Sequence, residues 1–191
     1  DIRQGTPFIG PVNVRDGDYE DAKGSDIVIF TSGVGRKPGQ SRLDLTQTNV
    51  DIAKSVIPTI TKACPNALYV IVANPVDILT QVAIKLSGLP ENRVIGSGTV
   101  LDTARLRYML GEHLSVDSRS VHAFIVGEHG DSEVVTWSSA NVSGVPLSTM
   151  CEMRGHFKHK ENTEEIAESV KNSAYEIINK KRATYYGIGM S

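Results

Sequence analysis

Three short apolar runs, separated by two segments of helix length, decide what this chain can fold into. Asp26-Ile27-Val28-Ile29-Phe30 is a β-branched run closed by Thr31-Ser32-Gly33. Leu68-Tyr69-Val70-Ile71-Val72-Ala73 is a second, closed by Asn74-Pro75, and Arg93-Val94-Ile95-Gly96 is a shorter third. Bounded apolar runs of this length read as buried strands. Between the first two, Val50, Ala53, Val56, Ile57 and Ile60 recur at helical spacing, which predicts a helix over residues 43–64. A second helix is predicted over residues 77–86, with Gly88 placed as its stop. Strands that alternate with helices build parallel βαβ units with right-handed crossovers. Strands apolar along their whole length imply a sheet covered on both faces.

Beyond Ser97 the pattern changes. A helix over residues 101–114 leads into two apolar runs, 121–126 and 132–139, separated by a tight turn and therefore read as antiparallel. A long helix follows over residues 162–181, with Asn162 or Thr163 as its N-cap. The reading is an α/β chain: an incomplete doubly wound parallel sheet over residues 1–97, then a mixed α+β half over 98–191. Asp1-Ile2-Arg3-Gln4-Gly5 reads as the end of a helix, and Tyr186-Gly187-Ile188-Gly189-Met190-Ser191 as the start of something unfinished. The chain is thus expected to be truncated at both ends.

A formal net charge of −2 with 22% charged residues argues against a nucleic-acid arm or an acidic tail. No apolar run approaches the roughly 20 residues that a membrane helix needs. Cys64 and Cys151 give neither a disulfide framework nor a paired metal spacing, and read as plain thiols of a cytoplasmic protein. No repeat is present.

In open parallel sheets, ligands bind outside the carboxyl ends of the strands. Here those ends carry Thr31-Ser32-Gly33, Asn74-Pro75 and Ser97-Gly98, all small or polar. Downstream, Gly127-Glu128-His129-Gly130-Asp131-Ser132 sets one histidine between two glycines. Histidine is the side chain suited to proton transfer near neutral pH, and the glycines leave space for a ligand at the backbone. Asp102 and Arg105 are three apart on a helix and share a face, whereas Arg107 points nearly the opposite way. Alone, Asp102 and Arg105 would suit a surface ion pair; the His129 loop turns the reading toward a site. A metal on His129 with Glu128 and Asp131 is disfavoured, because neighbours in a tight turn rarely converge on one ion, and no metal is expected. A histidine serving only the turn remains an alternative. Residues 33–42, rich in glycine and basic side chains, miss the pyrophosphate fingerprint by one residue and by Pro38. They read as a mobile cationic loop, or as a solvated connector.

Four motifs carry a resemblance that covers essentially the whole chain. They are Lys37-Pro38-Gly39-Gln40-Ser41-Arg42-Leu43-Asp44-Leu45, Asn74-Pro75-Val76-Asp77, Ile95-Gly96-Ser97-Gly98-Thr99-Val100-Leu101-Asp102 and the His129 hexapeptide. In order and spacing the chain resembles the L-lactate/malate dehydrogenase family, and within it the bacterial L-lactate dehydrogenases. The resemblance implies a partial Rossmann-type NAD-binding domain over 1–97, a partial substrate domain over 98–191, and NAD as cofactor. It implies hydride transfer between pyruvate and L-lactate, in glycolysis or fermentation. His129 would exchange the proton, Asp102 would hold the imidazole, Arg105 would grip the substrate carboxylate in a bidentate pair, and Arg42 would polarise the carbonyl. Asn74 would position substrate and nicotinamide, and Thr184 would line the substrate pocket. Thr31, Gly33, Asn49, Val72, Asn74 and Ser97 would contact the cofactor.

Two departures from the family pattern stand out. Its Gly-rich strand–turn–helix and the acid that reads the adenine ribose have no counterpart in these residues. Arg36 stands where the resemblance implies glutamine in lactate enzymes and arginine in malate enzymes. Arg36 could pair with the second carboxylate of oxaloacetate, so malate dehydrogenase is the alternative activity. A non-catalytic protein that keeps the fold is the alternative class. The resemblance further implies that Arg107 and His122 bind fructose 1,6-bisphosphate across a subunit interface of a homotetramer; a solvated arginine and an interface histidine would be the plainer account.

Overall fold

The structure is a computed structural model that describes residues 2–35 and 42–191, with the side chains of residues 42–44 excepted. The chain divides into two compact units, residues 1–96 and 97–191.

The first unit opens with a single helical turn, α1 (Ile2–Gly5), whose last residue runs on into a 3-10 turn at Thr6–Phe8. Gly5 therefore does not end the helical backbone as the sequence suggests. Strand β1 (Ile27–Phe30), helix α2 (Arg42–Ala63), strand β2 (Leu68–Ile71), helix α3 (Val76–Ser87) and strand β3 (Val94–Gly96) follow in βαβ order. The strands form a three-stranded parallel sheet, β1–β2–β3. Gly88 ends α3 at φ 65°, a left-handed conformation that glycine adopts without a Cβ penalty.

Register shows which face is buried. Val28, Tyr69 and Val94 lie side by side, as do Phe30, Ile71 and Gly96, and the apolar residues of both rows join the core with Ile57, Ile60, Val76 and Leu79. An added Cβ at Gly96 would stand 2.6 Å from Thr80 Oγ1, so α3 packs directly on that face. The opposite face carries Ile29, Val70 and Ile95 in register, and Ile27, Ile29 and Ile95 stay 57%, 62% and 45% exposed. Among the described residues, one face of the sheet is packed, and the other carries these exposed side chains.

The second unit starts with α4 (Val100–Leu114), ended by Ser115 in the left-handed region. Residues 121–126, expected as one strand, split into β4 (Val121–His122) and β5 (Ile125–Val126). β5 pairs antiparallel with β6 (Val134–Val135), which ends before a 3-10 turn at Trp137–Ser139 rather than running on to residue 139. β4 pairs instead with β7 (Asn141–Val142), which pairs with β8 (Val145–Pro146). Helices α5 (Leu147–Met153), α6 (His159–Lys181) and α7 (Tyr186–Met190) complete the unit. Helix α6 starts three residues before the expected cap: the Asn162 N–H already donates to the Lys158 carbonyl, and the Thr163 hydroxyl bonds back to the Lys160 carbonyl. Neither side chain caps the helix. Leu106, Leu110, Leu114, Val121, Ile125, Val142, Cys151 and Val170 form the core of this unit.

Candidate active site

Helix α4 supplies the buried half of the candidate site. Leu106, Leu110 and Leu114 repeat at helical spacing and pull one face of α4 into the core, which carries Asp102 inward to 3% exposure. Two threonines one turn apart then fix β5 to that helix. Thr99 Oγ1 donates to the Ile125 carbonyl at 2.6 Å, and the Ile125 N–H donates to Thr103 Oγ1 at 3.0 Å. This clamp aims the loop that leaves β5 back toward Asp102. Gly127 opens the loop at φ 97°, where any side chain would be strained. The loop glycine thus answers a backbone demand, beyond the room for a ligand that the sequence suggests. The Ser132 hydroxyl donates to the Glu128 carboxylate at 2.8 Å, and the Glu133 N–H to the Gly130 carbonyl at 3.1 Å, closing the loop on itself.

The result brings together residues 27 positions apart. His129 Nδ1 lies 2.5 Å from Asp102 Oδ2, and Arg105 Nη1 donates to Asp102 Oδ1 at 3.1 Å. Asp102 thus holds an imidazole on one oxygen and a guanidinium on the other. Burial raises the Asp102 pKa, but the hydrogen bond and charge of His129, and then the Arg105 guanidinium, outweigh it, so the carboxyl sits below its ordinary 3.8. An ionised Asp102 takes the Nδ1–H, which leaves Nε2 as the ring nitrogen that gains and loses the exchangeable proton. The turn-only account of His129 does not explain a carboxylate buried beneath its ring.

Glu133, which sequence reasoning passed over, joins this cluster. Its side chain is 6% exposed, and a ligand atom from each of Asp102, His129 and Glu133 lies within 4.8 Å of the others. Burial first, then the charge and hydrogen bond of Asp102, push the Glu133 carboxyl up to about 7, against the opposing pull of His129 and Lys171. Three such donors are of the type that binds divalent ions, but the Arg105 cation already sits on Asp102, and its charge opposes a second cation there. Thr99 and Thr103 were also missed. Their four-residue spacing beside Asp102 was the available signal, since it puts both hydroxyls on one helix face.

Thr184 is half-buried in the segment between α6 and α7. Its neighbourhood is tied to the start of α4, because an added Cβ at Gly187 would stand 3.0 Å from Leu101. Arg107 points away from Asp102, as the helix geometry requires. Its Nη2 reaches the carbonyls of Ser118 and Arg119 at 3.5 Å each, and its buried Nε has no hydrogen-bond partner among the described residues. His122 is exposed on β4, opposite Asn141.

In the first unit, Thr31 and Gly33 follow β1, and Val72 and Asn74 follow β2, at the carboxyl ends of neighbouring strands. Gly33 packs closely enough that a Cβ would stand 3.4 Å from Ala73 Cβ and from Asn49 Oδ1. Asn49 is 1% exposed, and its amide is spent on backbone: it accepts from the Val34 N–H at 2.8 Å and donates to the carbonyls of Val34 and Asn74. Asn49 therefore braces the two strand-end loops. Braced loops of small and polar residues at parallel strand ends suit the nicotinamide end of a dinucleotide. Ser97, half-buried, follows β3 and begins the second unit. Arg36 lies outside the described residues, as do residues 37–41 of the cationic loop. Arg42 is the first residue of α2, and its side chain is also outside the description.

Residues 1–96 match the family model of the lactate/malate dehydrogenase NAD binding domain, and residues 99–191 that of the lactate/malate dehydrogenase alpha/beta C-terminal domain. The chain is 51% identical over 191 residues to an L-lactate dehydrogenase of Acetivibrio thermocellus, covering 100% of this chain and 60% of that protein. It is 50% identical over 196 residues to L-lactate dehydrogenase 1 of Clostridium acetobutylicum, covering 100% of this chain and 61% of that protein. Among solved structures, the minor L-lactate dehydrogenase of Enterococcus mundtii superposes with a TM-score of 0.90 at 45% identity, over 98% of this chain and 60% of that one. A lactate dehydrogenase from a Medee basin deep-sea metagenome library gives 0.89 at 46% identity, over 99% and 60%. The chain thus spans about 60% of the length of these relatives. With both of its units matched in order, the chain belongs to the lactate/malate dehydrogenase family.

Proposed function

We propose that this chain serves an NAD-dependent L-lactate dehydrogenase, interconverting pyruvate and L-lactate in the cytoplasm. The observation that carries the reading is the pairing of His129 with Asp102, with Arg105 on the same carboxylate. NAD would supply the hydride chemistry, with Thr31, Gly33, Val72, Asn74 and Ser97 along its nicotinamide end and Asn49 bracing them. In the reduction of pyruvate, His129 Nε2 gives its proton to the developing hydroxyl oxygen. Asp102 stabilises the imidazolium beforehand and keeps Nε2 as the reacting nitrogen. Arg105 binds the substrate carboxylate through its guanidinium fork, which a lysine point charge does not reproduce. Arg42 polarises the carbonyl, and Thr184 lines the pocket.

Both relatives compared in sequence carry the name L-lactate dehydrogenase, which supports pyruvate over oxaloacetate. The effector reading belongs to the same proposal. Arg107 and His122 would meet the phosphates of fructose 1,6-bisphosphate at a subunit interface of a homotetramer. Helix α4, which carries Arg107, packs against β4, which carries His122, and this supports their joint reading.

The test is NADH oxidation by pyruvate in the purified protein, its His129→Ala and its Arg105→Lys. We expect pyruvate-dependent turnover, lost by about 10²–10⁴-fold without the acid–base group. Arg105→Lys should chiefly raise the pyruvate KM. Undiminished turnover in His129→Ala would overturn the assignment.

A further inference from the structure

The site holds one more carboxyl than a histidine–aspartate pair needs. Asp102 already serves both neighbours, with Oδ2 on His129 and Oδ1 on Arg105. Glu133 enters the same space from the other side, where β5 and β6 hold it in place. Its N–H is tied to Gly130, and the next residue, Val134, pairs with Val126. Its side chain is buried, with a carboxylate oxygen inside the 4.8 Å cluster of Asp102 and His129. Two carboxylates this close and this dry do not both ionise cheaply. When neutral, Glu133 can donate its proton in a hydrogen bond to Asp102, and so competes with the imidazole for that carboxylate. When ionised, it adds a second negative charge beside the ring.

On the dehydrogenase reading above, we propose that Glu133 is a positioning residue of the proton-transfer site. It acts on His129 through Asp102, and its protonation state sets how firmly the imidazole holds its proton. No bond of the substrate is made or broken at Glu133. The groups around it are Asp102 and Arg105 on α4, His129, Glu128 and Asp131 on its own loop, and Lys171 on α6. Burial and the Asp102 carboxylate hold the Glu133 carboxyl near neutrality, while His129 and Lys171 favour its ionised form. The carboxyl therefore changes state near neutral pH, where a histidine is suited to proton transfer. Above that range, a protonated His129 has two carboxylates to stabilise it; below, it has one, shared.

Titration by NMR reads this without turnover. Glutamate δ-carbons and histidine ring signals are followed across pH in the unmodified protein, in Glu133→Gln and in Glu133→Asp, with His129→Gln to assign the ring. One glutamate carboxyl should titrate near neutrality and vanish in Glu133→Gln. The His129 midpoint should fall by about half a pH unit or more in Glu133→Gln, since a neutral amide adds no negative charge. Glu133→Asp should restore part of the difference. The pH profile of pyruvate kcat/KM should move with the midpoint. Superposable His129 titrations in the three proteins overturn the proposal. Should Glu133→Gln fail to fold, the unmodified protein decides, and all glutamates titrating in the ordinary carboxylate range would overturn it. A shifted midpoint without pyruvate turnover supports the coupling and overturns the dehydrogenase reading instead.

Discussion

Asn49 Nδ2 donates to the Asn74 carbonyl at 2.7 Å, joining residues 25 apart in sequence and locking two strand ends together. The same amide holds both backbone groups of Val34. Asn49→Ala would remove these three part-buried hydrogen bonds. The expected cost is on the order of 2 kcal/mol in urea unfolding. NAD affinity should fall as well, because Gly33 and Asn74 lose their common brace. An unchanged dissociation constant for NAD in a folded variant would show that the brace does not serve the cofactor.

Asp102 ties stability to pH. Its folded pKa lies below the ordinary 3.8, so its contribution is present above that value and is lost as pH falls through the folded pKa. Asp102→Asn removes the charge and keeps the shape. Acid unfolding of the variant should lack the part of the slope below about pH 4 that this group supplies. Its pyruvate turnover should fall at least about tenfold, as the imidazolium loses its buried counter-charge. Identical acid-unfolding curves for the two proteins would count against the pair.

Arg36 tests substrate choice. As a lactate enzyme, the protein must let Arg36 reach solvent or an acid when substrate is bound, since a guanidinium against a methyl group is desolvated without a partner. We expect pyruvate to be preferred, with appreciable oxaloacetate turnover. Arg36→Gln should shift the ratio of catalytic efficiencies further toward pyruvate. A ratio that strongly favours oxaloacetate and collapses in the variant would instead mark a malate enzyme.

Arg107 tests regulation. Fructose 1,6-bisphosphate should lower the pyruvate concentration needed for half-saturation, with a coupling of order 1–3 kcal/mol. Arg107→Ala should abolish the effect and leave turnover at saturating pyruvate intact. Saturation curves that coincide with and without the effector in the unaltered protein would remove the idea.

The parallel half was legible because its strands and helices differ in hydrophobic period, and the caps mark the changes. Gly88 is an example, read as a stop and found at φ 65°. The small antiparallel elements were not legible in the same way. Residues 121–126 alternate buried and exposed without a break, yet β4 and β5 pair with different strands. Alternation reports the face a residue shows and carries no information about its partner. His129, Asp102 and Arg105 could be read from residue type and helical spacing. Thr99 and Thr103 offered only their four-residue spacing, and Glu133 offered no signal, because its role exists only once β5 and β6 bring it beside Asp102. The bracing bonds of Asn49 were hidden for a related reason: they form only where α2 packs beneath two loops from distant sequence.

Ile29 and Ile95 stand exposed on one side of the sheet, with the half-buried Val70 between them in register. Contiguous apolar surface of this kind drives self-association. Expressed as these 191 residues, the chain should therefore have a low solubility ceiling that is independent of its catalytic chemistry. Ile29→Thr, which keeps β-branching while adding a hydroxyl, should raise the concentration at which light scattering begins and leave the far-ultraviolet circular dichroism unaltered.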